Sequence, residues 1–136
     1  MSDRQLHSTG TEWEARVGYS RAVRVGRHVY VSGTLGVGPD GAPPVGAYAQ
    51  SVAALERIGG ALEALGSSLA DVVRTRMYVV EVEANQHDVG RAHHEAFGDV
   101  LPASTMLGVA GFVGPDFLVE IEAEALLPGD APTADC

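Results

Sequence analysis

An α+β domain is predicted, with elements in the order β-β-α-β-α-β-β and two helices on one face of a mixed sheet. Three observations predict it. Two segments repeat apolar residues at spacings of 3 and 4, which lays one apolar face along a helix. Several short runs alternate apolar and polar residues with period 2, as half-buried strands do. Between them stand glycine- and proline-rich turns, with no repeat or long linker, and 136 residues suit one domain with one core.

Residues 1–14 are expected to be loosely ordered, with Trp13 packing back on the body, and the folded domain is expected over 15–127. Ala22 to Val25 and His28 to Ser32 read as short strands joined by a tight hairpin at Gly26-Arg27. In the second run Val29 and Val31 point one way, and His28, Tyr30 and Ser32 the other. GTLGVGPDGAPPVG follows as a loop turning at Pro39-Asp40-Gly41. The first helix spans Ala47 to Leu65, with Val52, Leu55, Ile58, Leu62 and Leu65 on one face and Gly66 ending it. Gly59-Gly60 inside it costs about 1 kcal/mol per glycine, a cost tolerated if the small residues let a sheet approach closely.

Val72 to Val82 is rich in β-branched residues. Val73, Thr75, Met77 and Val79 are assigned to one side, and Arg74, Arg76, Tyr78 and Val80 to the other. A second helix runs from about Gln86 to Phe97, presenting Val89, Ala92, His93, Ala96 and Phe97. LPAST precedes a strand over Met106 to Phe112. After the turn at Gly114-Pro115-Asp116, Phe117 to Leu126 forms the last strand, where Val119, Ile121, Ala123 and Ala125 alternate with Glu120, Glu122 and Glu124. The tail from 128 to 136 is expected to be disordered. Two helices cover one face of such a sheet, so the other face is either wet or packed on further copies of the chain.

Composition narrows the chemistry. The formal charge is −9, and all nine basic residues are arginine. The absence of lysine excludes a Schiff-base lysine and a P-loop lysine. Net negative charge opposes non-specific nucleic-acid binding, which needs basic patches against phosphates. The single cysteine, Cys136, excludes an intrachain disulfide and a cysteine zinc site. His87, His93 and His94 lack the i,i+4 spacing by which one helix grips a metal, so no metal site is expected. No apolar run approaches the roughly 18 residues of a membrane span. The polar opening MSDRQLHSTGTEWEAR lacks an apolar signal core, which predicts a cytoplasmic protein.

Several stretches in series carry a resemblance: GYSRAV (18–23), VYVSG (29–33), Gln50, LEALGSSLADVVRTRMYV (62–79), GRAHHEAFGDVLPAST (90–105) and LVEIEAEA (118–125). Over roughly residues 16–127 the chain resembles the Rid family, also called YjgF-type proteins. The resemblance implies a chorismate-mutase-like fold and a homotrimer with clefts between subunits. It implies a small-molecule ligand and hydrolysis of reactive enamines and imines, such as 2-aminoacrylate, to a 2-keto acid and ammonia, without metal or organic cofactor.

The resemblance also assigns residues. Tyr19 matches a cleft-lining tyrosine, Ser32 and Gly33 a cleft-lining loop, and Glu120 the carboxylate that positions the attacking water. Met106 stands where some members have cysteine, and Gly90 where the family has asparagine. Active deaminases read Pro-Ala-Arg-Ser/Thr where this chain reads LPASTM. The arginine that grips the substrate carboxylate bidentately is Ser104 here, which places the chain in a subgroup lacking it. A charge-assisted hydrogen bond contributes roughly 1.5–3 kcal/mol against about 1 for a neutral one, so the exchange costs about one to two decades of binding unless something compensates. Three substitutes stand open: Arg74 or Arg76 from the neighbouring strand, a backbone nest at Ala103, Ser104 and Thr105, or a ligand that is not a carboxylate. The expected function is therefore hydrolysis of an imine or enamine, with 2-aminoacrylate itself in doubt. The alternative is a trimer that binds a metabolite without changing it.

Overall fold

The computed structural model describes residues 3–129. Six strands and three helices follow in the order β1 (Arg4–His7), α1 (Glu12–Val17), β2 (Ala22–Val25), β3 (His28–Leu35), α2 (Ala47–Ala64), β4 (Val72–Val80), α3 (Val82–Phe97), β5 (Ala103–Val109) and β6 (Val119–Leu126). They form one sheet in the order β1-β2-β3-β6-β4-β5. β4 and β5 are parallel and every other pair is antiparallel. A parallel pair needs a crossover between its strands, and α3 supplies it. The α+β class and the mixed sheet are as expected.

The core lies between the sheet and the two long helices. α2 contributes Ala54, Leu55, Ile58, Ala61 and Leu62, α3 contributes Val89, Ala92 and Phe97, and β6 contributes Val119, Ile121, Ala123 and Ala125, all buried. Gly66, in the left-handed region at φ 86°, ends α2 as expected. Gly26, at φ 58°, makes the hairpin. Gly36 is a packing requirement, because a Cβ there would sit 2.0 Å from the backbone oxygen of Gln50. Gln50 itself is buried and ties two segments, the loop before α2 and the stretch before β6, to α2. Its amide donates to Pro44 O (3.0 Å) and Asp116 O (2.9 Å), and its carbonyl accepts from Leu118 N (2.8 Å).

Several expectations need correction. From residue 3 onward the N-terminal segment is ordered: β1 pairs with β2, and the Glu14 carboxylate gathers Ser8, Thr9 and Thr11. These hydrogen bonds, Ser8 and Thr9 first, hold Glu14 down at about 2. Trp13 does not pack on the body; it is 45 % exposed with Arg16 over its ring. Gly60 faces open space and Gly59 meets Leu69 at ordinary contact distance, so neither brings the sheet closer. Val73 is exposed while Val72 is buried, because β4 carries one extra residue against β6 between Val72 and Arg74. A bulge of this kind reverses the alternation behind it. α3 begins at Val82 rather than near Gln86, after Glu81 takes a left-handed conformation. β5 begins at Ala103 rather than Met106 and closes at Val109. The tail is described only through Gly129, and the disorder expected of it beyond that lies outside the described residues.

Candidate functional site

The motif residues fall into two groups on different faces of the sheet. The first surrounds the start of β6. β3 also carries one extra residue against β6, between Val31 and Thr34, so Ser32 and Gly33 form a bulge. Segment 19–21 is fastened to that bulge. Ser32 N donates to Arg21 O (3.0 Å), Ser32 Oγ donates to Ser20 O (2.7 Å), and the Arg21 guanidinium donates to Gly33 O. The missing Cβ of Gly33 makes room for Glu120, since an added Cβ would stand 2.7 Å from Glu120 Oε1. Tyr19 lies on the rim, its ring 5.7 Å from the Arg21 Cζ. Within this chain Tyr19, Ser32, Gly33 and Glu120 lie around the start of β6, with Arg21 among them.

The electrostatics of Glu120 follow from its place beside Arg21. Burial pushes its carboxyl above the ordinary range, the Arg21 guanidinium opposes that, and Glu122 adds to it. Arg21 is 7 % exposed, and its Nε is buried without a hydrogen-bond partner. Arg57, on α2, donates to Leu35 O close by. Burial, followed by repulsion from Arg21, lowers its pKa. Arg21 therefore stands beside a strand acid whose charge burial destabilises, and Arg57 stands near Arg21. Sequence reasoning missed both. Arg21 lies inside the GYSRAV stretch, but an arginine at the start of a short strand reads as solvent-facing, and nothing local announces its burial.

The second group sits under α3. Thr75 is fully buried, and its hydroxyl lies 2.8 Å from Ser104 Oγ and 2.8 Å from His93 Nε2. Burial, and then the charge of His94, push His93 below its ordinary pKa, so the ring is neutral near pH 7. His93 tilts against Phe97 with centroids 4.7 Å apart. It also lines a pocket of about 280 Å³ with Gly90, His94, Phe97, Leu101 and Pro102. Thr75 and His93 had no place in the sequence reading of the site. They are 29 and 11 residues from Ser104, and only the parallel pairing of Thr75 with Ser104 brings the three into line.

The arginines offered as substitutes stand elsewhere. Arg74 and Arg76 lie on the sheet face away from α3, since Thr75 between them points under it. Arg74 donates to Thr105 Oγ1 (3.2 Å), and Arg76 pairs with Glu122 (3.3 Å) and Glu124 (3.8 Å). Neither is beside Ser104. Nor do Ala103, Ser104 and Thr105 form a nest, because they are extended residues of the edge strand β5. Ser104 and Glu120 do not meet within one chain. Glu120 pairs with Tyr78, three residues along β4 from Thr75 and on the opposite face, so about 10 Å of strand and the sheet itself separate them. Among the described residues, no group of three His, Cys, Asp or Glu side chains is placed to hold a metal. No helix among them is long and apolar enough to cross a membrane.

Comparison with known proteins agrees with this architecture. The crystal structure of Rv2704 from Mycobacterium tuberculosis, a member of the YjgF/YER057c/UK114 family, superimposes with a TM-score of 0.83 at 46 % identity, covering 92 % of this chain and all of that one. An uncharacterized protein of Streptomyces coelicolor, SCO2049, is 36 % identical over 125 residues, covering 86 % of this chain and 87 % of that one. The 2-iminobutanoate/2-iminopropanoate deaminase of Rattus norvegicus is 31 % identical over 125 residues, with 90 % of both chains covered. The family described as Endoribonuclease L-PSP matches residues 9–127. With that span matched and the six-stranded sheet superimposed, the chain belongs to the Endoribonuclease L-PSP family, the group that includes the YjgF and Rid proteins.

Proposed function

We propose that the protein hydrolyses a small imine or enamine to a carbonyl compound and ammonia, with Glu120 as the base that activates water. The observation that carries this reading is the destabilised charge of Glu120 inside the Tyr19–Arg21–Gly33 cluster. A carboxylate made more basic by burial exchanges protons with water closer to neutral pH than an exposed one. In the proposed reaction Glu120 takes a proton from water as the oxygen attacks the C=N carbon, and the π electrons move to nitrogen, which is protonated. The carbinolamine then collapses: its hydroxyl proton passes to the amino nitrogen by way of Glu120, C=O forms as the C–N bond breaks, and ammonia departs. Tyr19, on the rim, donates a hydrogen bond to the bound molecule. No metal or organic cofactor takes part in this scheme. The deaminase relatives, near 31 % identity, support the reaction class.

The uncovered sheet face supports assembly into a trimer. It carries Tyr30 and Leu107, both nearly half exposed, among half-buried Arg76, Glu122 and Glu124. In such an assembly the Glu120 cluster of one copy and the Ser104 cluster of another would share a cleft. Cleavage of RNA, which the family's description names, is disfavoured by the charge of −9 and by the acids along β6. One observation favours the alternative of a binding trimer without turnover: Ser104 brings no charge to the place where active deaminases carry arginine.

The test is hydrolysis of 2-iminopropionate generated in place by an amino-acid oxidase, comparing wild type, Glu120→Gln and Ser104→Arg. The reading expects activity in wild type that Glu120→Gln removes, with the rate rising with pH through a pKa above the ordinary carboxylate range. Silence in wild type with activity in Ser104→Arg would mean a competent scaffold serving a different ligand. Silence in both would sink the deaminase and favour the binding trimer.

A further inference from the structure

The hydroxyl of Thr75 has one hydrogen and lies between two partners, Ser104 Oγ and His93 Nε2, each at 2.8 Å. It donates to one and accepts from the other. If it donates to Ser104, His93 must carry its proton on Nε2, and the Ser104 hydrogen is free to point outward. If it donates to His93, Ser104 spends its own hydrogen on Thr75 and shows only a lone pair. The tautomer of His93 therefore sets what Ser104 offers. Thr75 is fully buried, so water does not scramble this order. Ser104 is exposed, so the consequence is felt at the surface.

We propose that Thr75 and His93 are positioning residues that hold Ser104 as a hydrogen-bond donor, and that this donor receives a carboxylate oxygen of the ligand. The inference rests on the imine reading above and deepens it by naming what takes over the task of the missing arginine. Three features support it. Successive hydrogen bonds polarise one another, strengthening each by about 10–30 %, so a serine backed by threonine and histidine is a better donor than one alone. The neutral ring of His93 makes both tautomers accessible, and an anionic ligand selects the one with hydrogen on Nε2. The pocket that His93 lines with Phe97, Leu101 and Pro102 gives the apolar part of a small ligand a place at the His93 end of the relay.

Pyruvate, the keto acid expected from 2-iminopropionate, is the probe. Its binding is followed by calorimetry, and the ring nitrogens of His93 by 15N NMR. Wild type is expected to bind pyruvate with His93 in the Nε2–H form and with a shift of its ring nitrogens on binding. Thr75→Val is expected to weaken binding about five- to tenfold, the equivalent of one hydrogen bond, and Thr75→Ser to stay within about twofold of wild type. Nδ1–H in the bound protein, unchanged affinity in Thr75→Val, or no binding of pyruvate would each overturn the proposal. The tautomer is read on wild type, so a poorly folded valine variant does not shield the idea. Pyruvate binding through His93 without hydrolysis would refute the deaminase and leave the relay standing; hydrolysis without the tautomer shift would do the reverse.

Discussion

Replacing Gln50 with glutamate changes almost no volume and reverses one polarity. The new side chain still accepts from Leu118 N, but an oxygen replaces the amide that now donates to Pro44 O and Asp116 O. Two carbonyls lose their donor and face a negative charge in a site only 2 % exposed. Each orphaned buried group costs roughly 1–3 kcal/mol. Both carbonyls belong to loops that can recover some water, so we take the lower part of that range and expect a loss of about 3 kcal/mol. For a chain of this length that lowers Tm by roughly 10 °C. The carboxyl is disfavoured as an anion in the folded state, so its folded pKa exceeds its unfolded one. The penalty is then small below the unfolded value of about 4.3 and complete above the raised folded value. Thermal unfolding at pH 5 and pH 8, followed by circular dichroism, should show Gln50→Glu falling further below wild type at pH 8. A deficit under about 1 kcal/mol, or one equal at both pH values, would refute the view that Gln50 clamps these loops by donation.

Further outcomes follow from the same contacts. Glu14 is held at about 2 against an ordinary 4.5, so its contribution to stability is complete above 4.5 and disappears as pH falls through about 2. The difference in urea midpoint between wild type and Glu14→Gln should be steady from pH 7 to 5 and close towards pH 2; a difference that persists at pH 2 contradicts this. Gly33→Ala and Gly36→Ala should behave differently. The first meets the movable end of Glu120 and should fold normally while hydrolysis falls about tenfold. The second meets the backbone of Gln50 and should lose more than about 2 kcal/mol in chemical denaturation.

Much of the fold was legible because it rests on periodicity. The apolar face of α2 and the alternation of β6 are statements about neighbours three, four or two residues away. β1 was not legible, because RQLH buries almost nothing and is held by backbone pairing with β2. The bulges at Ser32-Gly33 and at Val73 were hidden for a related reason. One extra residue leaves composition unchanged and is visible only against the partner strand. The motif residues Tyr19, Ser32, Gly33 and Glu120 were named from the sequence, whereas Arg21 was not. Its burial depends on Gly33 O, twelve residues away. Arg74 and Arg76 looked available from the sequence because strand parity cannot say which face Ser104 shares. The bond from Thr75 to Ser104 answers that.

The two bulges lie on either side of β6, one in each of its neighbours. β6 is therefore the ruler of this sheet, and β3 and β4 are each one residue too long for it. A single-residue deletion would be read very differently along the three strands. Removing Ser32 or Gly33 would restore a regular ladder, keep Thr34 opposite Ile121 on the buried face, and erase the hollow that receives Glu120. The strand would gain regularity as the site closed. Removing a residue within β6 would exchange Glu120, Glu122 and Glu124 with the buried valine, isoleucine and alanines. Libraries of one-residue deletions should divide along this line, with folded but inactive chains at the β3 bulge and unfolded chains within β6.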